Sequence, residues 1–233
     1  YLIDRTPATN ELAGLKITNT NKYGFQKRTN AGGGLGGPVS ATAVNTTNFH
    51  VIDYQRQRGT SYQLYLDGSL DASVADADGD LTPPVPRIGR HYNTANNGVK
   101  GYISELIIYN THLNTAQLNI INTYLAAKYS LTIANDKYAY DSNHGHEVAG
   151  IGRENASNTH TAAMSGGILR ISGASALGDL DYLLFGHDNT DVTSTWTSTE
   201  TPSDKSGIQR LSREWRLDET GDVGTVDVTV DVA

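Results

Sequence analysis

Asp76, Asp78 and Asp80 are spaced around Gly79 in the run Asp76-Ala-Asp-Gly-Asp80, and they are the metal-ligand candidates of the chain. Alternating carboxylates beside a glycine turn supply hard oxygens, of which calcium takes roughly six to eight in a flexible geometry. No Glu completes an EF-hand loop at its twelfth position, and a solvated acidic hairpin tip has the same composition. For a sugar ligand, His91-Tyr-Asn-Thr-Ala-Asn-Asn97 presents Tyr92, Asn93, Asn96 and Asn97, whose hydroxyl and amide groups pair with sugar hydroxyls; a plain turn also fits. Trp196 sits in Thr193-Ser-Thr-Trp-Thr-Ser-Thr199, a polar loop from which an indole can stack on a sugar or anchor the loop. Trp215, on an alternating strand, reads as core. His144 and His146, near Asp141 and Glu147, have the chemistry of a zinc or copper site, but no third ligand stands at a defined spacing, and a linker with two exposed histidines is the commoner source of such a pair.

Catalysis has less to work with. Glycoside hydrolysis needs two carboxylates flanking one sugar bond at about 5 to 10 Å, and no such pair is evident. Glu105 is the single carboxylate of its strand and reads as a structural group. The glycine run Ala31-Gly-Gly-Gly-Leu-Gly-Gly37 lacks the Gly-Lys-Ser/Thr ending of a phosphate loop, and no helix follows it.

The elements that must carry these residues are mostly strands. Tyr62, Leu64 and Leu66 alternate with Gln63 and Tyr65 up to Asp67-Gly68, which predicts a strand running into a hairpin turn. Phe49–Tyr54 and a run starting at Pro86-Arg-Ile-Gly-Arg90 predict further strands. Gly101–Tyr109 is the most β-rich stretch, and its pattern predicts a central strand. Asn114 followed three residues later by Gln117 is a capping-box signature, and Leu118, Ile121 and Leu125 with Ile120 and Tyr124 continue at helical spacing, predicting one helix over about 114–128. A polar stretch from Ala134 to His146 precedes a second series of strands at Glu147–Gly152, Ile168–Ser172, Asp181–Gly186, Leu211–Leu217 and Thr225–Val232, spaced as in a β-sandwich. The change of character places a boundary near 133, giving domains 1–133 and 134–233.

Composition agrees with this outline. With 18 Lys plus Arg against 25 Asp plus Glu, the net charge is −7, and no basic cluster tracks a phosphate backbone, so nucleic acid is not the expected partner. Cysteine is absent, which removes disulfides, thiolate metal sites and cysteine nucleophiles together. Mean hydropathy is −0.42 and no run reaches the roughly 18 apolar residues of a membrane span. The 24 glycines, and 13 tyrosines against 3 phenylalanines, suit strands with hydroxyl-bearing faces joined by turns, as in secreted β proteins. Tyr1 at the start and the alternating Gly224–Ala233 at the end read as a segment cut from a longer chain.

Four pieces in order, Tyr65-Leu-Asp-Gly68, Ile88-Gly-Arg90, Gly101–Asn110 and the helix ending Tyr124-Leu-Ala-Ala-Lys-Tyr129, resemble the second half of a LamG-like, concanavalin A-like jelly roll of bacterial surface proteins. Val148–Glu154, Tyr182–Asp188 and Arg213–Leu217 with Glu219–Gly224 resemble the β domain that commonly follows it. The resemblance implies an all-β chain: a jelly roll incomplete at its N-terminus, joined by one α-helix to a second β-sandwich. Catalytic jelly rolls of the β-glucanase type carry a Glu-x-Asp-x-x-Glu run, whereas the strand here holds Glu105 alone, so the expectation is a non-catalytic module. The implied function is extracellular adhesion or glycan binding at the cell surface, with calcium ordering the Asp76 loop and a glycan or cell-surface ligand as partner. Other expected partners are neighbouring domains of the same long chain or an assembly partner. A ligand-free spacer, and a fragment of a polysaccharide-active enzyme, are the alternatives.

Overall fold

Alternation in the sequence becomes two small β units in the computed structural model, which describes residues 3–5, 12–28, 36–45, 47–79, 87–89, 98–192 and 211–231. The chain divides into compact units at Tyr1–Leu113 and Asn114–Ala233.

The first unit contains β1 (Ile3–Arg5), β2 (Leu12–Ile17), β3 (Lys22–Arg28), β4 (Val39–Ala43), β5 (Ile52–Gln57), β6 (Ser61–Leu66), β7 (Ser69–Ala75) and β8 (Arg87–Ile88). They form two antiparallel sheets, in the orders β4-β3-β2-β1-β8 and β5-β6-β7. The side chains of Tyr54, Arg56, Tyr62 and Leu64 share one face of the smaller sheet because residues two apart along a strand point the same way. That face meets β3: Phe25 stacks on Tyr54 at a ring separation of 3.6 Å, and Tyr62 and Leu64 are fully buried. The hairpin between β6 and β7 turns on Asp67-Gly68, with φ of 48° and 79°, the left-handed pair of a type I′ turn. Asp67 reinforces the turn by accepting hydrogen bonds from the Val51 N–H at 2.9 Å and from His50 at 2.7 Å.

The expected central strand at Gly101–Tyr109 is not formed. Residues 101–109 belong to no strand, and their apolar side chains face solvent, Tyr102 at 89% and Ile108 at 67% exposure. Propensity explains the failed expectation: β-branched and aromatic residues favour a pleated, half-buried surface, but a strand exists only where its N–H and C=O groups meet a ladder.

The second unit contains α1 (Thr115–Tyr129), α2 (Asp141–His144), β9 (His146–Asn155), β10 (Asn158–His160), β11 (Ala162–Ser165), β12 (Leu169–Ser172), β13 (Asp181–His187), β14 (Trp215–Thr220) and β15 (Asp227–Val230). Its sheets run β10-β9-β13-β14 and β11-β12-β15. β13 is apolar on both faces, as a strand buried between two layers must be. Leu183 and Phe185 pack with Ile151, Leu169, Ile171 and Val223, whereas Tyr182 and Leu184 pack with Val148 and, on α1, with Ala116, Ile120 and Ala127. The result is helix, four-stranded sheet and three-stranded sheet in layers.

The start of α1 follows from its sequence. The Asn114 side chain accepts from the Gln117 N–H and the Gln117 side chain accepts from the Asn114 N–H, each at 3.0 Å, closing the capping box. Its buried face is not the Leu118-Ile121-Leu125 stripe: of these only Leu118 is buried, Ile121 and Leu125 are half-buried, and the buried residues include Asn119, Asn122 and Thr123. Asn119 is reconciled with burial by donating to Glu154 at 2.9 Å and to the Tyr182 hydroxyl at 3.2 Å. Because α1 packs on β9 and β13, it belongs to the second unit. The division falls between Leu113 and Asn114, some distance before the change of composition near 133.

Candidate functional site

The acidic loop after β7 lies against two cations supplied by the strands. Arg56 on β5 points to the inner face and donates to Asp76 through Nε at 2.7 Å and through Nη2 at 3.3 Å. The same Nη2 donates to the carbonyl oxygens of Asp78 at 3.0 Å and Gly79 at 2.7 Å. Asp76 also accepts the N–H groups of Gly59 at 3.1 Å and Asp78 at 2.9 Å, and its side chain is 0% exposed. Asp78 forms an ion pair with Lys27 of β3 and accepts the Tyr62 hydroxyl at 2.8 Å. Lys27 lies 4.3 Å over the Tyr62 ring, and Arg56 lies 5.2 Å from its centroid.

This environment fixes the charge of both carboxylates. Burial alone would raise their affinity for a proton. For Asp76 the hydrogen bonds from Arg56 and from the Asp78 and Gly59 N–H groups win and bring it down to about 2; for Asp78 those from Lys27 and Tyr62 win and hold it below the usual range. Neither can serve as a glycosidase's general acid, which needs a raised value. Burial pushes the Tyr54 and Tyr62 hydroxyls up.

The pH consequence has a definite sign. Folded Asp76 titrates near 2 against 3.8 for the free side chain, so its stabilisation is complete above about pH 4 and is lost as pH falls from 3.8 towards 2. An acid melting series should show the wild-type chain losing stability across that window. An Asp76→Asn variant should show a flatter slope; an identical slope in the two proteins would contradict the assignment.

Asp80, Tyr92, Asn93, Asn96, Asn97 and Trp196 lie outside the described residues. Among the described residues, no group of three His, Asp or Glu side chains is arranged to hold a metal.

The sequence signals did not single out the other face of β5-β6-β7. There Asp53 pairs across the ladder with Tyr65, Gln55 with Gln63, and Gln57 with Ser61, while Tyr65 faces Leu70 and Gln63 faces Ser73. Gln55 is buried and accepts the Leu113 N–H at 3.0 Å. The Tyr65 hydroxyl lies 3.4 Å from Gln63, and burial followed by the charge of Asp53 holds it protonated. With Gln55 taken up by Leu113, the Gln63 amide, the Asp53 carboxylate and the Tyr65 phenol remain as donors and acceptors at strand spacing on this pleated surface. The signal was the second, polar half of the alternation in Ile52–Gln57 and Ser61–Leu66.

In the second unit the two histidines picked out by spacing have different neighbours. His144 lies 3.9 Å from Glu214, and the His146 ring stacks on His187 with centroids 5.9 Å apart. His187, fully buried, is fixed at both nitrogens: Nδ1 accepts the Asn189 N–H at 3.0 Å, which leaves Nε2–H to donate to Glu147 at 2.9 Å. Burial above all lowers its proton affinity, with Arg213 acting in the same direction. Trp215 packs edge-on against His187 and donates to the buried Ser165 hydroxyl at 3.1 Å; its strand pattern predicts a core residue, and it is half-buried against the core cluster.

Paired antiparallel sheets with an aromatic interior, a polar outer face and an acidic loop pinned at one end define a lectin-like β-sandwich module, here followed by a separate helix-backed β unit. The chain belongs to the concanavalin A-like lectin/glucanases superfamily through residues 2–119, and to the domain of unknown function DUF8202 through residues 117–233. The second match starts within α1. No curated protein and no solved structure matches the chain. Among the described residues, no helix is long and apolar enough to cross a membrane.

Proposed function

We propose that the chain is a non-catalytic glycan-binding module of a large bacterial cell-surface or secreted protein, acting in adhesion outside the cell. Its first unit is the binding element and its second a partner domain of the same chain. The observation that carries this is the outer face of β5-β6-β7, where Asp53, Gln63, Tyr65 and Ser73 stand on neighbouring strands of a lectin-superfamily sheet. Sugars are held by such sets: planar amides and carboxylates take the hydroxyls, and an aromatic ring covers the C–H face. The non-catalytic reading is supported by the acidic loop, whose two described carboxylates are held ionised by Arg56 and Lys27. Tyr92, Asn93, Asn96 and Asn97 are proposed as further ligand contacts.

Affinity electrophoresis through gels containing soluble β-glucan, xylan, mannan or dextran tests the proposal. One polysaccharide class should retard the wild-type chain, and a Gln63→Ala/Tyr65→Ala variant with unchanged melting should migrate freely. Equal retardation of the two proteins would remove this face from the account.

A further inference from the structure

We infer that Arg56 occupies the place of a calcium ion in the loop after β7, so that the first unit orders this loop with its own cations and needs no metal. The argument rests on what surrounds the guanidinium. Four oxygens converge on it: Oδ2 and Oδ1 of Asp76 at 2.7 and 3.3 Å, and the backbone carbonyls of Asp78 and Gly79 at 3.0 and 2.7 Å. Carboxylate and main-chain carbonyl oxygens from a short acidic loop are the donor set by which proteins hold calcium. Here the positive charge at their centre is covalently part of β5. The remaining carboxylate, Asp78, is taken by Lys27 on β3 and by the Tyr62 hydroxyl on β6. The described residues therefore do not fit a resident calcium, because the ion would have to displace Arg56 from oxygens that are already satisfied and, at Asp76, fully buried.

A calcium in such a loop ties it to the scaffold through the ion. Here Lys27 and Arg56 come from different sheets of the sandwich, so the loop Asp76–Gly79 fastens both sheets. A guanidinium suits this role because its planar fork presents several donors at once and does not lose its proton.

The inference does not depend on which ligand the outer face takes, and its test reads no glycan. The chain is melted in chelator and again in about 5 mM calcium, a concentration that saturates weak extracellular sites. The wild-type midpoint should move by less than about a degree, since an ion that does not bind the native state cannot stabilise it. In Arg56→Ala the oxygens lose their cation, and the midpoint should fall by several degrees in chelator and recover part of that loss in calcium but not in magnesium, which demands tighter octahedral geometry. A saturable rise of the wild-type midpoint with calcium would overturn the inference, and so would an Arg56→Ala protein that folds but ignores calcium. If Arg56→Ala does not fold, the wild-type titration alone decides.

Discussion

Replacing Gly152 with valine should cost the second unit more than about 3 kcal/mol, at or beyond the upper end of ordinary overpacking. Gly152 stands opposite Tyr182 in the β9–β13 ladder; a Cβ at this position would collide with Cδ1 and Cε1 of the Tyr182 ring and lie 2.9 Å from its Cγ. The ring cannot swing aside cheaply. Its hydroxyl donates to Glu154 at 2.6 Å and accepts from Asn119 at 3.2 Å, and its body packs under Ala116 and Ile120 of α1. Displacing it would break a buried hydrogen-bond set and detach the helix from the sheet. Gly167 is the control: an added Cβ there meets nothing within 4 Å, so Gly167→Ala should cost only the left-handed backbone term, about 1 to 2 kcal/mol. Both tryptophans lie after Asn114, so urea unfolding followed by tryptophan fluorescence reports this unit directly. Equal midpoints for Gly152→Val and Gly167→Ala would show that Tyr182 is not locked in place.

The second large effect is expected at Asp76→Ala, about 3 to 5 kcal/mol, the range for removing one partner of a buried ion pair. An exposed pair would cost about 1 kcal/mol or less, so burial decides between the two estimates. Asp76 is 0% exposed and Arg56 19%, and truncation would strip the guanidinium of its carboxylate while also orphaning the Gly59 and Asp78 N–H groups. Asp76→Leu combined with Arg56→Met should recover much of the loss, because replacing both charges removes the unpaired one. Circular dichroism across a urea series measures both variants. A loss for Asp76→Ala below about 1 kcal/mol would return the loop to the status of a solvated tip.

Local signals carried a good part of this molecule. The Asp67-Gly68 turn and the Asn114–Gln117 capping box are written in adjacent residues, so both could be inferred without knowing what packs where. The superfamily and the partner domain were likewise legible from ordered short motifs, and the family matches agree. What depends on distant partners was not legible. Asp76 and Asp78 show an acidic, calcium-like spacing, but nothing near them in sequence reveals Arg56, twenty positions earlier, or Lys27 on the opposite sheet. The strongest β propensity, at 101–109, misled for the same reason, since a strand is a relation between two segments. Helix α1 was located correctly, yet its buried face was not, because Asn119 becomes a good interior residue only once Glu154 and Tyr182 are beside it. His187 carries no spacing signal at all; its burial comes from a strand packed on both faces.

A glycan-array screen of the 233-residue chain in chelator tests the central claim most directly. The account predicts binding to one glycan class, undiminished by removal of calcium and lost in the Gln63→Ala/Tyr65→Ala variant. A folded chain that binds no class in either chelator or calcium would contradict it.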